Sequence, residues 1–296
     1  MRISPAAIAI LLCGGAAGAQ EPQPSIARPL TLPPGAVEIT LHGTYTNWAG
    51  NVLGTRSSLD GETLALGADF GVSDRVQLGL AVALPVNPGL AFGTILGSAA
   101  FPVSRSFAVR ADLGFESFGF NGTGTNPTHI NRYFLGFGTP IKVPIGPSLA
   151  FVSGRTVAVQ FGHFNNIGTS GTGLYVGASD FTELASDVLV VSAGGDNSST
   201  RVGINLPVGL RVQPDPHISF TLLSGYSAVI NIPSSGNSAA LHFIPIGLEA
   251  VVAPVPSLDV GARFLVDGYV ANTGGGSGTL GYLDLRALMI WMRVRT

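Results

Sequence analysis

Apolar residues recur at every second position through one segment of this chain after another. Val37–Trp48 reads VEITLHGTYTNW, with Val37, Ile39, Leu41 and Tyr45 on one side of the alternation and Glu38, Thr40, His42 and Thr44 on the other. Glu62–Val72 places Leu64, Leu66, Ala68, Phe70 and Val72 opposite Thr63, Gly67, Asp69 and Gly71. Val76–Leu84, Phe107–Phe118, Arg201–Val212 and Leu258–Tyr269 repeat the pattern. A period of two marks strands with one apolar and one polar face. A soluble sandwich turns the apolar face inward, whereas a membrane barrel turns it to lipid.

Composition bears on that choice. Hydrophobic residues make up 46% of the 296 residues and charged residues 11%, against about 25% charged in ordinary soluble domains. The N-terminus, MRISPAAIAILLCGGAAGAQ, has a short positive region at Arg2, an apolar stretch over Ala6–Leu12 and a small-x-small site at Ala17-Gly18-Ala19. This reads as a cleaved secretory signal over residues 1–19. The single cysteine, Cys13, lies inside it, so the mature chain is expected to carry none and to form no disulfide. No run of about twenty apolar residues follows, so a spanning helix is not expected. An apolar, exported, cysteine-free chain then points to the other structure that can span lipid, the closed β-barrel, in which every backbone polar group is paired.

The connections alternate in length. Short ones fall at Ser73–Arg75, Pro102–Ser106, Gln213–His217 and Ala253–Ser257, and longer ones, rich in Gly, Ser, Asn and Thr, near 49–61, 119–131, 227–239 and 270–281. Outer-membrane barrels have short periplasmic turns and longer extracellular loops. At roughly 20 residues per strand and connection, the expected fold is an all-β, antiparallel transmembrane barrel of about 14 strands, with 12 as the alternative. Residues 20–35, QEPQPSIARPLTLPPG, are too rich in proline for a central strand and are expected to form a periplasmic leader or plug ahead of a barrel spanning 36–296. TPIKVPIGPS (Thr139–Ser148) reads poorly as a strand for the same reason. Ser153-Gly154-Arg155 is expected to be a short turn, since Arg155 would otherwise face lipid. Pro207 and Pro245 sit inside expected strands, where they mark bulges or misplaced boundaries.

Charge placement suggests the lumen. Glu38, His42, Asp69, Arg110, Asp112, Glu116, Arg201, Arg211, Glu249, Asp259, Arg263, Asp267, Asp284 and Arg286 are read as inward-facing, because a charge on the lipid face costs roughly 2–4 kcal/mol at the midplane. They either line a pore or pair with one another, as Arg110 with Asp112 or Asp284 with Arg286. Their mixed signs suggest weak ion selectivity. Small inward residues (Gly67, Gly71, Gly79, Ala81, Ala83) suggest unfilled space. Tyr45, Trp48, Tyr133, Tyr226, Tyr269 and Trp291 lie near expected strand ends and fit interfacial girdles. The five histidines, His42, His129, His163, His217 and His242, show no metal-ligand spacing. Gly274–Gly278 lacks the lysine and helix of a phosphate loop. No catalytic residue, metal or cofactor is expected.

At GVSDRVQLGLAVALPV (Gly71–Val86) the hairpin resembles the strand–turn–strand units of proteobacterial outer-membrane β-barrel proteins of the transporter and porin-like type. RPLTLPPGAVEI (Arg28–Ile39) is similar to the start of their mature chains. The resemblance implies an outer-membrane location, lipid and the barrel assembly machinery as partners, and passage of a small solute. The chain departs from the pattern at its end, MIWMRVRT, where a terminal aromatic is usual and Trp291 stands five residues before Thr296. The net charge of −2 gives no basic field for nucleic acid. No motif specifies an oligomer. The function expected is a passive channel for small solutes; the alternatives are a non-conducting barrel acting as anchor, adhesin or scaffold, and a soluble exported sandwich that binds a ligand.

Overall fold

The structure, a computed structural model, describes residues 24–52, 55–86, 91–120, 128–163, 167–168, 192–193, 198–233, 239–272 and 284–296. The expected signal lies outside them. The strands are β1 (Val37–Val52), β2 (Thr55–Ser73), β3 (Val76–Pro85), β4 (Ala91–Pro102), β5 (Ala108–Phe120), β6 (Thr128–Gly146), β7 (Leu149–His163), β8 (Ile167–Gly168), β9 (Ser192–Ala193), β10 (Ser198–Asp215), β11 (Ile218–Pro233), β12 (Ala239–Val255), β13 (Leu258–Asn272) and β14 (Asp284–Arg295). Among the described residues, β8 and β9 pair only with each other. The other twelve form one closed antiparallel barrel in which each strand pairs with its sequence neighbours, β7 pairs with β10, and β14 closes on β1. The count is thus the lower of the two expected from the sequence.

Closure runs from Glu38↔Arg295 to Ala49↔Asp284 and ends in a hydrogen bond from Thr296 N–H to the Val37 carbonyl (3.0 Å). The alternation fixes which face looks where. Outward residues include Leu66, Leu80, Leu113, Leu222, Ile246 and Ile290, with Leu113 66% exposed. Inward residues at the opposite parity, such as Glu38, Asp69, Arg110 and Glu249, are buried. A continuous apolar outer wall around a charged interior inverts the arrangement of a soluble protein and is stable only against lipid.

Short turns join β2–β3, β4–β5, β6–β7, β10–β11 and β12–β13 at one end of the barrel. Three local expectations need correction. Ser153-Gly154-Arg155 is not a turn: β7 runs through it, and the turn instead follows Gly146. That is why residues 139–163 yield two strands and no extra hairpin. Thr139–Ser148 is mostly strand, because the prolines fall at irregular points of the β6–β7 ladder where register shifts occur. The connection expected at 49–61 is largely strand, β1 continuing to Val52 and β2 beginning at Thr55.

Pro207 and Pro245 belong to a larger feature. Pro140 lies in the register shift of the β6–β7 ladder between Gly138↔Arg155 and Ile141↔Ser153, beside Gly154. By Val208↔Ser153, Gly154 falls opposite Pro207. Pro207 pairs with Gly225, and by Ser224↔Ile246 Gly225 falls opposite Pro245. Prolines and glycines therefore alternate in one row across β6, β7, β10, β11 and β12. Proline has no N–H to give to a ladder, and pairing lapses along this row. β7–β10 pairing stops at Ile204↔Val157 and resumes at Val208↔Ser153. β11–β12 pairing stops at Ser224↔Ile246 and resumes at Ser227↔Phe243.

Candidate functional site

An eight-stranded barrel can be filled by its own side chains; twelve strands enclose more room. Here the leader takes up part of it. Ser25, Ile26, Arg28, Leu30, Thr31 and Leu32 are all buried, and Leu30 packs on Ala108 and Val152. The leader is held chiefly by polar side chains of the wall. Gln77 Oε1 accepts from Leu32 N–H (2.7 Å). Gln213 Oε1 accepts from Ser25 Oγ (3.0 Å) and Ile26 N–H (3.1 Å). Lys142 Nζ donates to the Ser25 carbonyl (2.9 Å), and Arg28 Nη1 donates to Asp259 Oδ2 (2.8 Å). These groups belong to β3, β10, β6 and β13, near the short-turn end of each. Gly35 N–H bonds to the Gly71 carbonyl (2.7 Å) and Gly71 N–H to the Ala36 carbonyl (3.0 Å). Gly71 is required here: a Cβ would collide with the Pro33 carbonyl oxygen.

Further in, the register lines up inward residues in rows. One row is Thr40, Arg293 and Asp259; the next is His42, Trp291, Gly261 and Val251; the next is Thr44, Met289, Arg263, Glu249, Thr221 and Arg211. The third row is an ion chain. Glu249 Oε2 accepts from Arg263 Nε (3.0 Å) and Nη2 (2.6 Å). Glu249 Oε1 lies 3.5 Å from Arg211 Nη2, and Arg211 Nε donates to Thr221 Oγ1 (3.1 Å). A second network joins the leader to the closing seam. Asp259 Oδ2 takes Arg28 and Arg295 Nη2 (2.7 Å), and Arg295 Nε reaches Glu38 Oε2 (2.7 Å). Arg293 Nε lies 3.4 Å from Glu38 Oε1, with its guanidinium 4.8 Å above the Trp291 ring centroid. Arg110 Nε donates to Asp112 Oδ1 (2.8 Å), and Gln77 Nε2 to Asp69 Oδ1 (3.0 Å). Such pairs cost desolvation that their attraction only partly offsets, so they define register and shape more than they add stability.

Of the residues expected in the lumen, Glu38, His42, Asp69, Arg110, Asp112, Arg211, Glu249, Asp259 and Arg263 are buried inside the barrel. The side chains of Glu116, Arg201, Asp267 and Asp284 lie outside the described set. Arg286 is a correction: it is exposed, on the outward parity of Leu288 and Ile290. Near the long-loop end of β14, its long stem can run along the wall and carry the charge to the polar boundary. It therefore does not face the lumen. Among the expected interfacial aromatics, Tyr45 and Tyr226 are exposed on the outer wall, and the side chains of Trp48, Tyr133 and Tyr269 are not described. Trp291 is the second correction. It is 4% exposed and faces inward, its indole lying flat against Gly261, where a Cβ would overlap the ring.

The small inward residues do not simply leave space. Gly71 admits the leader, Gly261 the indole, and Gly79 the Asp69 carboxylate, which a Cβ there would strike. Sequence reasoning missed Arg28, Gln213, Lys142, Arg293 and Arg295 as interior groups. The signal for the arginines was present: Met292, Arg293, Val294 and Arg295 continue the alternation to the end of β14. Lys142, between Ile141 and Val143, carried the same sign.

No family model matches the chain, and no curated protein matches it. Its structure is similar to that of the COG4313 outer membrane channel from Pseudomonas putida F1, at 12% identity over 90% of this chain and 97% of that one, with a TM-score of 0.53. It is also similar to the translocator domain of the autotransporter NalP from Neisseria meningitidis (10% identity, 98% and 94% covered, TM-score 0.49). The beta domain of the Bordetella autotransporter BrkA aligns too (12%, 87% and 98%, TM-score 0.47). With the Pseudomonas putida channel, at 12% identity, what is shared is the fold. By fold, the chain is an antiparallel β-barrel of the bacterial outer-membrane type.

Proposed function

We propose that the chain is an outer-membrane channel for small solutes whose short-turn mouth is stoppered by its own leader. The observation that carries this reading is how the leader is held: a few polar side chains of the wall and one salt bridge grip a segment buried in the mouth. A segment needed only to fill space would be held by apolar packing. Here removal leaves the wall largely satisfied, because Asp259 keeps Arg295 and Gln77 keeps Asp69. The apolar outer wall supports residence in the outer membrane, with the short turns toward the periplasm and the long connections outward. The name given to the Pseudomonas putida protein, an outer membrane channel, favours the same class.

A second reading has its own observation. Glu38, Arg110 and Glu249 of the interior are at most 1% exposed, which suits a packed, non-conducting barrel that anchors or scaffolds through its loops. Planar-bilayer conductance of the refolded mature chain decides between them. A channel gives brief openings in the parent and sustained current when Gly71→Val unseats the leader. Silence from both proteins, with heat-modifiable gel mobility reporting an intact barrel, supports the scaffold and sinks the channel.

A further inference from the structure

The seat of the leader is built to receive a peptide backbone. Prolines and one turn remove many of the leader's own amide donors. Pro24, Pro29, Pro33 and Pro34 have none, and the N–H groups of Ala27 and Arg28 both go to the Pro24 carbonyl (2.8 and 3.2 Å). Two donors of the buried stretch, those of Ile26 and Leu32, go instead to side chains of the wall, Gln213 Oε1 (3.1 Å) and Gln77 Oε1 (2.7 Å). One carbonyl, that of Ser25, accepts from Lys142 Nζ (2.9 Å). Both glutamines are fixed from behind: Gln77 Nε2 donates to Asp69 Oδ1 (3.0 Å) and Gln213 Nε2 to the Pro216 carbonyl (3.2 Å). The wall, not the leader, therefore aims each amide oxygen as an acceptor, and such preorganisation lowers the cost of binding.

Side chains of the leader are read more coarsely. Ile26, Leu30 and Leu32 are buried, with Leu30 against Ala108 and Val152, so apolar residues suit the seat. Ser25 Oγ shares Gln213 Oε1 with Ile26 N–H. One charge is matched: Arg28 Nη1 meets Asp259 Oδ2, which Arg295 Nη2 also holds at 2.7 Å. Wall charges of both signs face this end of the lumen. Lys142, Arg110, Arg293 and Arg295 stand with Asp69, Asp112, Asp259 and Glu38, and Glu38 lies opposite Asp69 in register. Such a mixture does not select a simple anion or a simple cation. It suits a ligand that carries donors, acceptors and one cation spaced along a chain. The room for such a ligand is the room the leader fills.

We infer that the seat is a binding cleft for short, proline-containing peptides with apolar side chains and one arginine, which the leader fills in cis. As the solute class of the channel this rests on the channel reading; as a cleft it can be tested apart from conduction. The probe is the free peptide PSIARPLTL, the sequence of residues 24–32, with an amidated C-terminus and an N-terminal fluorescein, followed by anisotropy. The receptor is the full mature chain carrying Ile26→Pro and Leu32→Pro, which takes both amide donors from the resident leader and leaves the wall untouched. The peptide should bind this variant saturably and the parent about tenfold more weakly or worse, because the parent's own leader competes. N-methylation of the peptide at the Ile26 and Leu32 positions, or a scramble of the same composition, should each weaken binding by about tenfold or more. Gln77→Leu with Gln213→Leu should do the same, and the modified peptides decide if that wall variant fails to fold. In protein whose gel mobility shows an intact barrel, absence of saturation, or equal affinity for the N-methylated or scrambled peptide, overturns the inference. So does unchanged slow maleimide labelling of Thr31→Cys in the proline variant, since those two amides would then not hold the leader. Sustained current with no peptide binding removes the cleft and keeps the channel; saturable binding with no current keeps the cleft and removes the channel.

Discussion

At Gly71 the leader's backbone lies against the wall, and one added side chain there tests whether the leader can be unseated. A Cβ on Gly71 would run into the Pro33 carbonyl oxygen and come within 2.8 Å of the Pro33 carbonyl carbon and 2.9 Å of the Leu32 oxygen. These are backbone atoms, which cannot swing aside as a side-chain tip can. Gly71→Val therefore forces the leader off the wall at this point. Three hydrogen bonds go with it: Gly35 N–H to the Gly71 carbonyl (2.7 Å), Gly71 N–H to the Ala36 carbonyl (3.0 Å) and Leu32 N–H to Gln77 Oε1 (2.7 Å). At a net 0.5–1.5 kcal/mol or so for each, seating weakens by about 1.5–4.5 kcal/mol. That raises the unseated population roughly ten- to a thousand-fold. The mature chain, read as cysteine-free, allows a clean assay. A cysteine placed at Thr31, which is buried in the seated leader, should react slowly with maleimide in the parent and faster by that factor with Gly71→Val. Gly43→Val is the control, since a Cβ at Gly43 meets nothing within 4 Å. Equal labelling with and without Gly71→Val, in protein whose gel mobility shows an intact barrel, refutes the tight seating from which the magnitude is worked.

Glu249→Ala leaves Arg211 and Arg263 buried without the carboxylate they share, and should destabilise the barrel by about 3–5 kcal/mol in urea titrations followed by gel mobility. A loss below about 1 kcal/mol would contradict the buried ion chain. Arg28→Ala should cost the barrel far less in the same titration, because Asp259 retains Arg295 at 2.7 Å; a loss matching that of Glu249→Ala would show that the leader is integral to the wall. Leu222→Arg places a charge at a strongly exposed site of the outer wall and should reduce folding into lipid vesicles by about 2–4 kcal/mol if that site lies near the midplane. Unimpaired insertion would mean that this face does not meet lipid. Gly261→Leu should push the indole of Trp291 off β13 and red-shift its emission in a Trp48→Phe background, so an unchanged spectrum would argue against the flat packing.

The strands were legible wherever one face was purely apolar. Leu64, Leu66, Ala68 and Phe70 alternate with small or charged partners, and lipid tolerates no other arrangement. Legibility fails where both parities are apolar. In β14, Leu285, Met289 and Trp291 compete with Leu288, Ile290 and Met292, and only Arg293 and Arg295 break the tie. Placing Arg286 inward for its charge alone sends it to the wrong face, and reading Trp291 as a girdle residue leaves the alternation of those arginines unused. Aromatic character does not tell an interfacial ring from one laid against a glycine on the next strand; that depends on Gly261, which only the register brings alongside. The leader posed a different problem. Its prolines exclude a strand, but nothing local in it announces Gln77, Lys142, Gln213 and Asp259 as its partners, since they come from four separate strands. Arg155 is a third case: a charge in mid-strand reads as a turn, yet β7 continues through it.

The alternating prolines and glycines along Pro140, Gly154, Pro207, Gly225 and Pro245 give the barrel a mechanical grain. The flank from β12 through β14 and β1 to β5 carries ladders without such a row, so it should resist bending as a stiff plate. The opposite flank is creased, because pairing lapses between β7 and β10 and between β11 and β12 at the same height. Squeezed by the lateral pressure of a bilayer, a cylinder built this way does not shrink evenly. It ovalises by folding at the crease, and the opposite flank keeps its curvature. Backbone amides at 154–156 and 205–206, next to the lapse, should exchange hydrogen for deuterium ahead of their neighbours in the same strands. The two ion networks, on Glu249 and on Asp259, tie β10 to β13 and then to β14 and β1. They splint one edge of the crease to the stiff side, so the bending is left to β6 and β7.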